Sequence, residues 1–144
     1  MYQRILVPLE NSPADQAILE HVGRLAKLCG AEVLLLHVAD GWAARNMSSL
    51  NLRESQEMKE DRVYLERVAE QLRQGGIEVD AVLAAGEPAQ EIARAAERER
   101  VDLIAMATHG HSLLGDVVHG TTATALRHVS RIPILMVRAP APAP

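Results

Sequence analysis

The sequence predicts an α/β sandwich packed around a mostly parallel sheet. Three observations carry this. Short β-rich apolar runs alternate with helix-periodic segments from one end of the chain to the other, 144 residues are one domain's worth, and no repeat or compositional break interrupts the alternation. Parallel strands joined through helices imply right-handed crossovers.

The elements follow in order. Ile5-Leu6-Val7 is a short strand closed by Pro8 and the turn-like Asn11-Ser12-Pro13. Ile18, Val22, Leu25 and Cys29 then recur on one face of a helix that Gly30 ends. Val33 to Val38 is apolar apart from His37, as a strand covered on both faces should be. Asp40 to Leu52 reads as a loop or irregular insert. From about Glu54 to Gln74 the pattern is helical, with Met58, Leu65, Val68, Ala69 and Leu72 on one face and Gly75-Gly76 as the stop. Val79 to Leu83 is a third strand. Pro88 suits a first helical position, and Ala89, Ile92, Ala93 and Ala96 form a small-residue face. Leu103 to Ala107 makes a fourth strand, Thr108 to Gly120 a loop with three glycines and three histidines, and Thr121 to Val129 a short helix with Leu126 and Val129 facing inward. Ile134 to Val137 is the fifth strand. The Ala/Pro tail 139–144 is expected to be disordered, which leaves 1–138 as the folded domain.

Composition narrows the function. A content of 48% hydrophobic and 24% charged residues belongs to a globular chain. Fifteen Lys and Arg against nineteen Asp and Glu leave a net charge of -4, with aromatics at 2% and no Phe. A phosphate-tracking basic groove and a base-stacking platform are both poorly supplied, so no nucleic-acid partner is expected. The single cysteine, Cys29, excludes an intrachain disulfide and a Cys-based metal site, and its inner-face position reads as a core thiol. Apolar runs fall far short of the roughly 18–20 residues that span a bilayer. Met1-Tyr2-Gln3-Arg4 leads straight into an apolar run without a leader-like cleavage pattern. A cytoplasmic location without membrane attachment is the expectation.

Ligands of open parallel sheets bind beyond the carboxyl ends of the strands, where strand order reverses. Two loops therefore matter, Leu9 to Pro13 and Thr108 to Gly120. In the second, glycines permit close backbone approach, and the amides at the following helix start form an anion site that Thr121 and Thr122 hydroxyls can supplement. The same residues also serve as a plain Gly-Thr helix cap, and from spacing alone the cap is the favoured of the two readings. Gly110 to Gly115 has P-loop spacing, but Asp116 stands where the lysine belongs, which inverts the electrostatics. His109, His111 and His119 share the loop without a cysteine or a fixed carboxylate spacing, so no metal site is expected. His37 reads as a strand-end histidine bonded to backbone.

These residues resemble the universal stress protein family over essentially the whole chain. The likeness rests on Arg4-Ile5-Leu6-Val7-Pro8 with an acidic residue and Ser12 beyond it, on Leu34 to Val38, on Gly86-Glu87-Pro88-Ala89-Gln90-Glu91-Ile92, on Asp102-Leu103-Ile104 through Gly110 and Gly120-Thr121, and on Pro133 to Val137. The resemblance implies a single-domain, Rossmann-like three-layer sandwich with a five-stranded parallel sheet of order 3-2-1-4-5. It also implies homodimers joined through the last strand, Ile134 to Val137, and apolar sheet edges do invite pairing. The ATP-binding branch of that family carries G-x2-G-x9-G-[ST]. Here Ala107 replaces the first glycine, while Gly110, Gly120 and Thr121 fill the remaining places. Glu10 stands where the family usually has Asp. The site implied by the resemblance comprises Pro8, Leu9 and Glu10 after the first strand and Val38 beside the adenine. Met106 and Ala107 end the fourth strand, His109 and Gly110 follow it, and Gly120, Thr121 and Thr122 complete the set, the two threonines near the phosphates. Its ligand would be ATP, with or without Mg2+, held by a dimeric binding and signalling module of the stress response. The alternatives are a slow ATP hydrolase, efficient catalysis being disfavoured by the absence of an evident general base and of lysine in either loop, and a structural dimer without nucleotide, against which the retained Gly110, Gly120 and Thr121 count.

Overall fold

The computed structural model describes residues 1–39, 51–109 and 122–140, with the backbone alone for 51–55 and 109. Five strands, β1 (Arg4–Pro8), β2 (Glu32–Ala39), β3 (Val79–Ala85), β4 (Leu103–His109) and β5 (Ile134–Ala139), form one parallel sheet of order β3-β2-β1-β4-β5. Among the described residues four helices cover it: α1 (Asp15–Cys29), α2 (Asn51–Gln74), α3 (Pro88–Arg98) and α4 (122–129).

The period of two along each strand divides the core into two layers. Ile5, Val7, Val33, Leu35, Leu103 and Ala105 point to one face, where Ile18, Val22 and Ala26 of α1 and Leu65, Val68 and Ala69 of α2 pack on them. Leu6, Leu34, Leu36, Ile104 and Met106 point to the other, against Ile92, Ala95 and Ala96 of α3 and Leu126 of α4. Central strands buried on both faces have no polar alternation to show, which is why β1 and β2 read as continuous apolar runs. α1 ends at Gly30, whose φ of 65° places it in the left-handed region that closes a helix at little cost to glycine.

Expectation and structure differ in some boundaries and in some buried faces. β4 continues through Thr108 to His109, residues expected in the loop, because both positions pair with β5 at Arg138 and Ala139. β5 accordingly takes Ala139 out of the expected tail and buries it. α1 buries Ile18, Val22 and Ala26 fully, while Leu25 and Cys29 sit at the margin of that face. In α4 Leu126 is fully buried, but Val129, expected to face inward, is 58% exposed. Val129 is the last residue of α4 and stands about 60° around the axis from Leu126, at the end of the helix. Asn51 and Leu52, placed in the insert by sequence, begin α2. The remainder of the insert, residues 40–50, lies outside the described residues, as do 141–144 of the tail.

The N-terminal end of the sheet is closed by charge. The Arg4 guanidinium contacts Glu32, lies 2.9 Å from Asp80 and reaches Glu99 at 3.5 Å. Burial works against its charge, but the hydrogen bonds to Asp80 and Glu32 outweigh this and hold it above its ordinary value. Asp102, at the start of β4, accepts from the amides of Gln3 at 2.9 Å and Arg4 at 3.0 Å, and so pins β1 to β4.

Candidate functional site

At the opposite end, β1 and β4 are neighbours whose chains continue to opposite sides of the sheet, and a crevice opens between them. Its cavity of about 260 Å³ is lined by Pro8, Leu9 and Glu10 after β1, by Leu36, His37 and Val38 of β2 and by Met106 and Ala107 of β4. Asp15, Pro88, Ile92 and Thr122 complete the walls. Asp15 and Pro88 are the first residues of α1 and α3, and Thr122 is the first described residue of α4. Parallel connectivity produces this convergence, because each helix that follows a strand begins at that strand's carboxyl end. Helix N-termini present amides and a positive dipole end to whatever occupies the crevice.

Two of these ends carry carboxylates of their own. Glu87 caps α3 by accepting from the amide of Gln90 at 2.9 Å. Asp15, only 2% exposed, accepts from the amides of Glu10, Asn11 and Ser12 at 3.1, 2.9 and 3.4 Å. Asn11 has a φ of 62°, the left-handed turn that aims these amides inward. The Tyr64 hydroxyl donates to Asp15 at 2.5 Å from α2. Burial, reinforced by this hydrogen bond, pushes the Tyr64 phenol well above its ordinary value, so it remains a donor. The Glu10 carboxylate accepts from Ser12 Oγ at 3.0 Å.

His37 behaves as a strand-end histidine bonded to backbone, as the sequence suggested: its Nδ1 lies 2.8 Å from the Leu9 carbonyl. Its Nε2 faces Asp61 of α2 at 3.2 Å.

Of the residues singled out from sequence, Pro8, Leu9, Glu10, Val38, Met106, Ala107 and Thr122 line this one crevice. His109 is placed at the end of β4 by its backbone. Gly110, Gly120 and Thr121 lie outside the described residues. Sequence reasoning missed Asp15 and Tyr64. An acidic residue in a helix's first turn was the available signal for Asp15, and none marked Tyr64 as its partner. A second hollow, about 490 Å³, lies beside Arg4, Glu32 and Asp80 at the other end of the sheet, where the charged groups answer one another.

Chemically the crevice offers an apolar slot for a flat heterocycle, a carboxylate at its lip and helix N-termini for an anion. No Lys or Arg is among the described residues that line it.

Comparison with known proteins matches this architecture. Universal stress protein MJ0577 of Methanocaldococcus jannaschii is 30% identical over 155 residues, spanning 96% of this chain and 96% of its own. The solved structure of MJ0577 superimposes with a TM-score of 0.85 and covers 97% of this chain and 98% of the other. A universal stress protein in complex with cAMP (TM-score 0.70, 15% identity, 95% and 97% covered) and one from Archaeoglobus fulgidus in complex with dAMP (0.66, 19%, 94% and 98%) share the fold. The universal stress protein family model matches residues 1–138, and with the sheet order and the full-length relative this shows that the chain belongs to the universal stress protein family.

Proposed function

We propose that this chain binds an adenine nucleotide, ATP, in the β1/β4 crevice and acts as a dimeric binding module of the cytoplasmic stress response. One observation carries the reading. Residues distant in sequence, Pro8 to Glu10, Val38, Met106, Ala107 and Thr122, meet around one apolar cavity at the reversal of strand order. Two fold relatives are in complex with adenine nucleotides, cAMP and dAMP, which supports the choice of base. Val38, Met106 and Ala107 would sandwich the adenine. The α4 N-terminus, with Thr121 and Thr122, would receive phosphate oxygens, and the backbone of His109, Gly110 and Gly120 would complete the bed.

A magnesium ion fits this arrangement in a limited way. Magnesium bound with a nucleotide takes one or two carboxylates and relies on phosphates and water for the rest. Asp15 is committed to three amides and Tyr64. Glu10 is the crevice carboxylate suited to the metal, which would neutralise phosphate charge there. With no cation among the described lining residues, the expected ATP turnover is slow.

Denaturing the purified protein and chromatographing the supernatant should release ATP or ADP. The emptied protein should then bind ATP saturably, one per chain. Absence of nucleotide together with absence of binding refutes the reading, and phosphate release faster than about 1 s⁻¹ makes the protein an enzyme instead. The dimer would form through β5, whose Met136 is 43% exposed on the sheet edge. Light scattering should give twice the 15.7 kDa chain mass, reduced to the single mass by Met136→Lys. Among the described residues no helix is long and apolar enough to cross a membrane. The cytoplasmic assignment is tested by fractionation of cells.

A further inference from the structure

The lip of the crevice is a loop, and loops on α/β scaffolds are ordinarily the mobile part of a site. Between β1 and α1 this loop is held from two directions. From within, the Asp15 carboxylate gathers the amides of Glu10, Asn11 and Ser12. From outside, α2 reaches it with two side chains one helical turn apart, Asp61 and Tyr64.

Tyr64 donates its hydroxyl to Asp15 across a sequence separation of 49 residues. Its ring is partly buried and packs on the core layer that also holds Leu9 and Ala14, and the carboxylate it bonds is itself only 2% exposed. Asp61 accepts from Asn11 Nδ2 at 3.3 Å and meets His37 Nε2 at 3.2 Å. The other ring nitrogen of His37 lies 2.8 Å from the Leu9 carbonyl. The turn at Asn11 is thus fixed at its backbone, at its side chain and at the preceding carbonyl. No described residue of α2 lines the crevice, so whatever α2 does for a ligand it does through this loop.

We infer that Asp61 and Tyr64 are positioning residues of the crevice: acting through His37 and Asp15, they hold the β1–α1 loop in its ligand-receiving shape and thereby link the docking of α2 to occupancy of the site. The inference rests on the crevice being the nucleotide site. Ordering a loose lip at the moment of binding costs affinity, and a clamp that orders it beforehand removes that cost. Linkage is reciprocal, so a ligand that favours the clamped loop also favours the docked α2 by the same factor.

The test uses the full chain and two conservative variants, Tyr64→Phe and Asp61→Asn, with Leu65→Ala as a control. Leu65 is 2% exposed in the core beside Tyr64, and its truncation weakens α2 packing without removing a bond to the loop. In Tyr64→Phe, hydrogen exchange at the amides of Glu10, Asn11 and Ser12 should accelerate about tenfold while that of Ile5 to Val7 is unchanged. ATP affinity should weaken about five- to tenfold in each conservative variant. In Leu65→Ala, stability should fall while the folded protein keeps its affinity within about twofold. Conversely, ATP should slow exchange along α2 in the parent and less so in Tyr64→Phe. Unchanged loop exchange in both variants overturns the clamp. Faster exchange with ATP affinity held within about twofold overturns the linkage, and a Leu65→Ala loss of affinity equal to that of Tyr64→Phe overturns the assignment of the effect to the Tyr64 and Asp61 bonds, leaving general α2 packing in their place. If the parent itself takes up no ATP, the nucleotide reading fails and the linkage to it falls, while the exchange data still decide the clamp.

Discussion

The two ends of the sheet are built by the same five strands and use polar groups in opposite ways. At the amino end, side-chain charges close on one another: Arg4 meets Glu32, Asp80 and Glu99, and Asp102 takes the amides of Gln3 and Arg4. At the carboxyl end, Asp15 and His37 are turned toward backbone groups of the β1–α1 loop, and the wall beside them is left largely apolar. The first arrangement fastens strands and leaves little for a ligand to satisfy. The second spends its charges on shaping a loop and leaves a surface to be filled. The amino-end hollow is no smaller, about 490 Å³ against about 260 Å³, so the character of the lining rather than size separates the two ends.

Substitutions at the two ends should separate binding from stability. The largest effect is expected from Val38→Trp, which fills the crevice from β2. ATP affinity should drop at least about a hundredfold, near 2.7 kcal/mol, with the thermal midpoint little changed. Calorimetric titration beside thermal unfolding checks both. Arg4→Ala is the mirror experiment. It leaves three carboxylates without their shared cation and should cost roughly 2 kcal/mol in urea unfolding, while the folded protein binds ATP as before. Asp102→Ala removes an acceptor from two amides at the same end and should cost about 1 kcal/mol, again without loss of affinity. If either amino-end variant weakens binding as Val38→Trp does, the division of labour is wrong.

The smallest effect concerns alkaline pH. In the folded protein the Tyr64 phenol keeps its proton to higher pH than an unfolded chain's, whose ordinary value is 10.0. Above that pH the folded state binds more protons, so this contribution is whole below about pH 10 and is lost as pH rises further. Urea midpoints between about pH 9 and 11 should fall less steeply in Tyr64→Phe than in the parent. Equal slopes would mean that Asp15 and Tyr64 part company in solution.

The layering was legible in sequence because it depends on period alone. Leu6 beside Val7, and Leu34 beside Leu35, are apolar on both faces, as only a sheet covered twice allows. The sheet order came from the family likeness, which the strand pairing bears out. Val129 was misplaced because a short helix offers too few turns for its apolar positions to define a face. Asp15 escaped notice for a different reason. Its local pattern is that of any acidic helix start, and what distinguishes it is burial under Tyr64, a partner supplied by another element 49 residues away. His37 was read correctly at its Nδ1, but its contact with Asp61 of α2 required the same kind of long-range knowledge.

The pairing of β1 with β4, Ile5 opposite Leu103 and Leu6 opposite Ile104, sets when the site comes into being during synthesis. The first 85 residues already contain β1, β2 and β3 and could form half a sheet on their own. Met106, Ala107 and Thr122 emerge from the ribosome later, so the crevice has only part of its wall until the second half of the chain arrives. Contacts this far apart are the slow ones to make, and a ligand present at that moment would reward the joining of the two halves over their separate persistence.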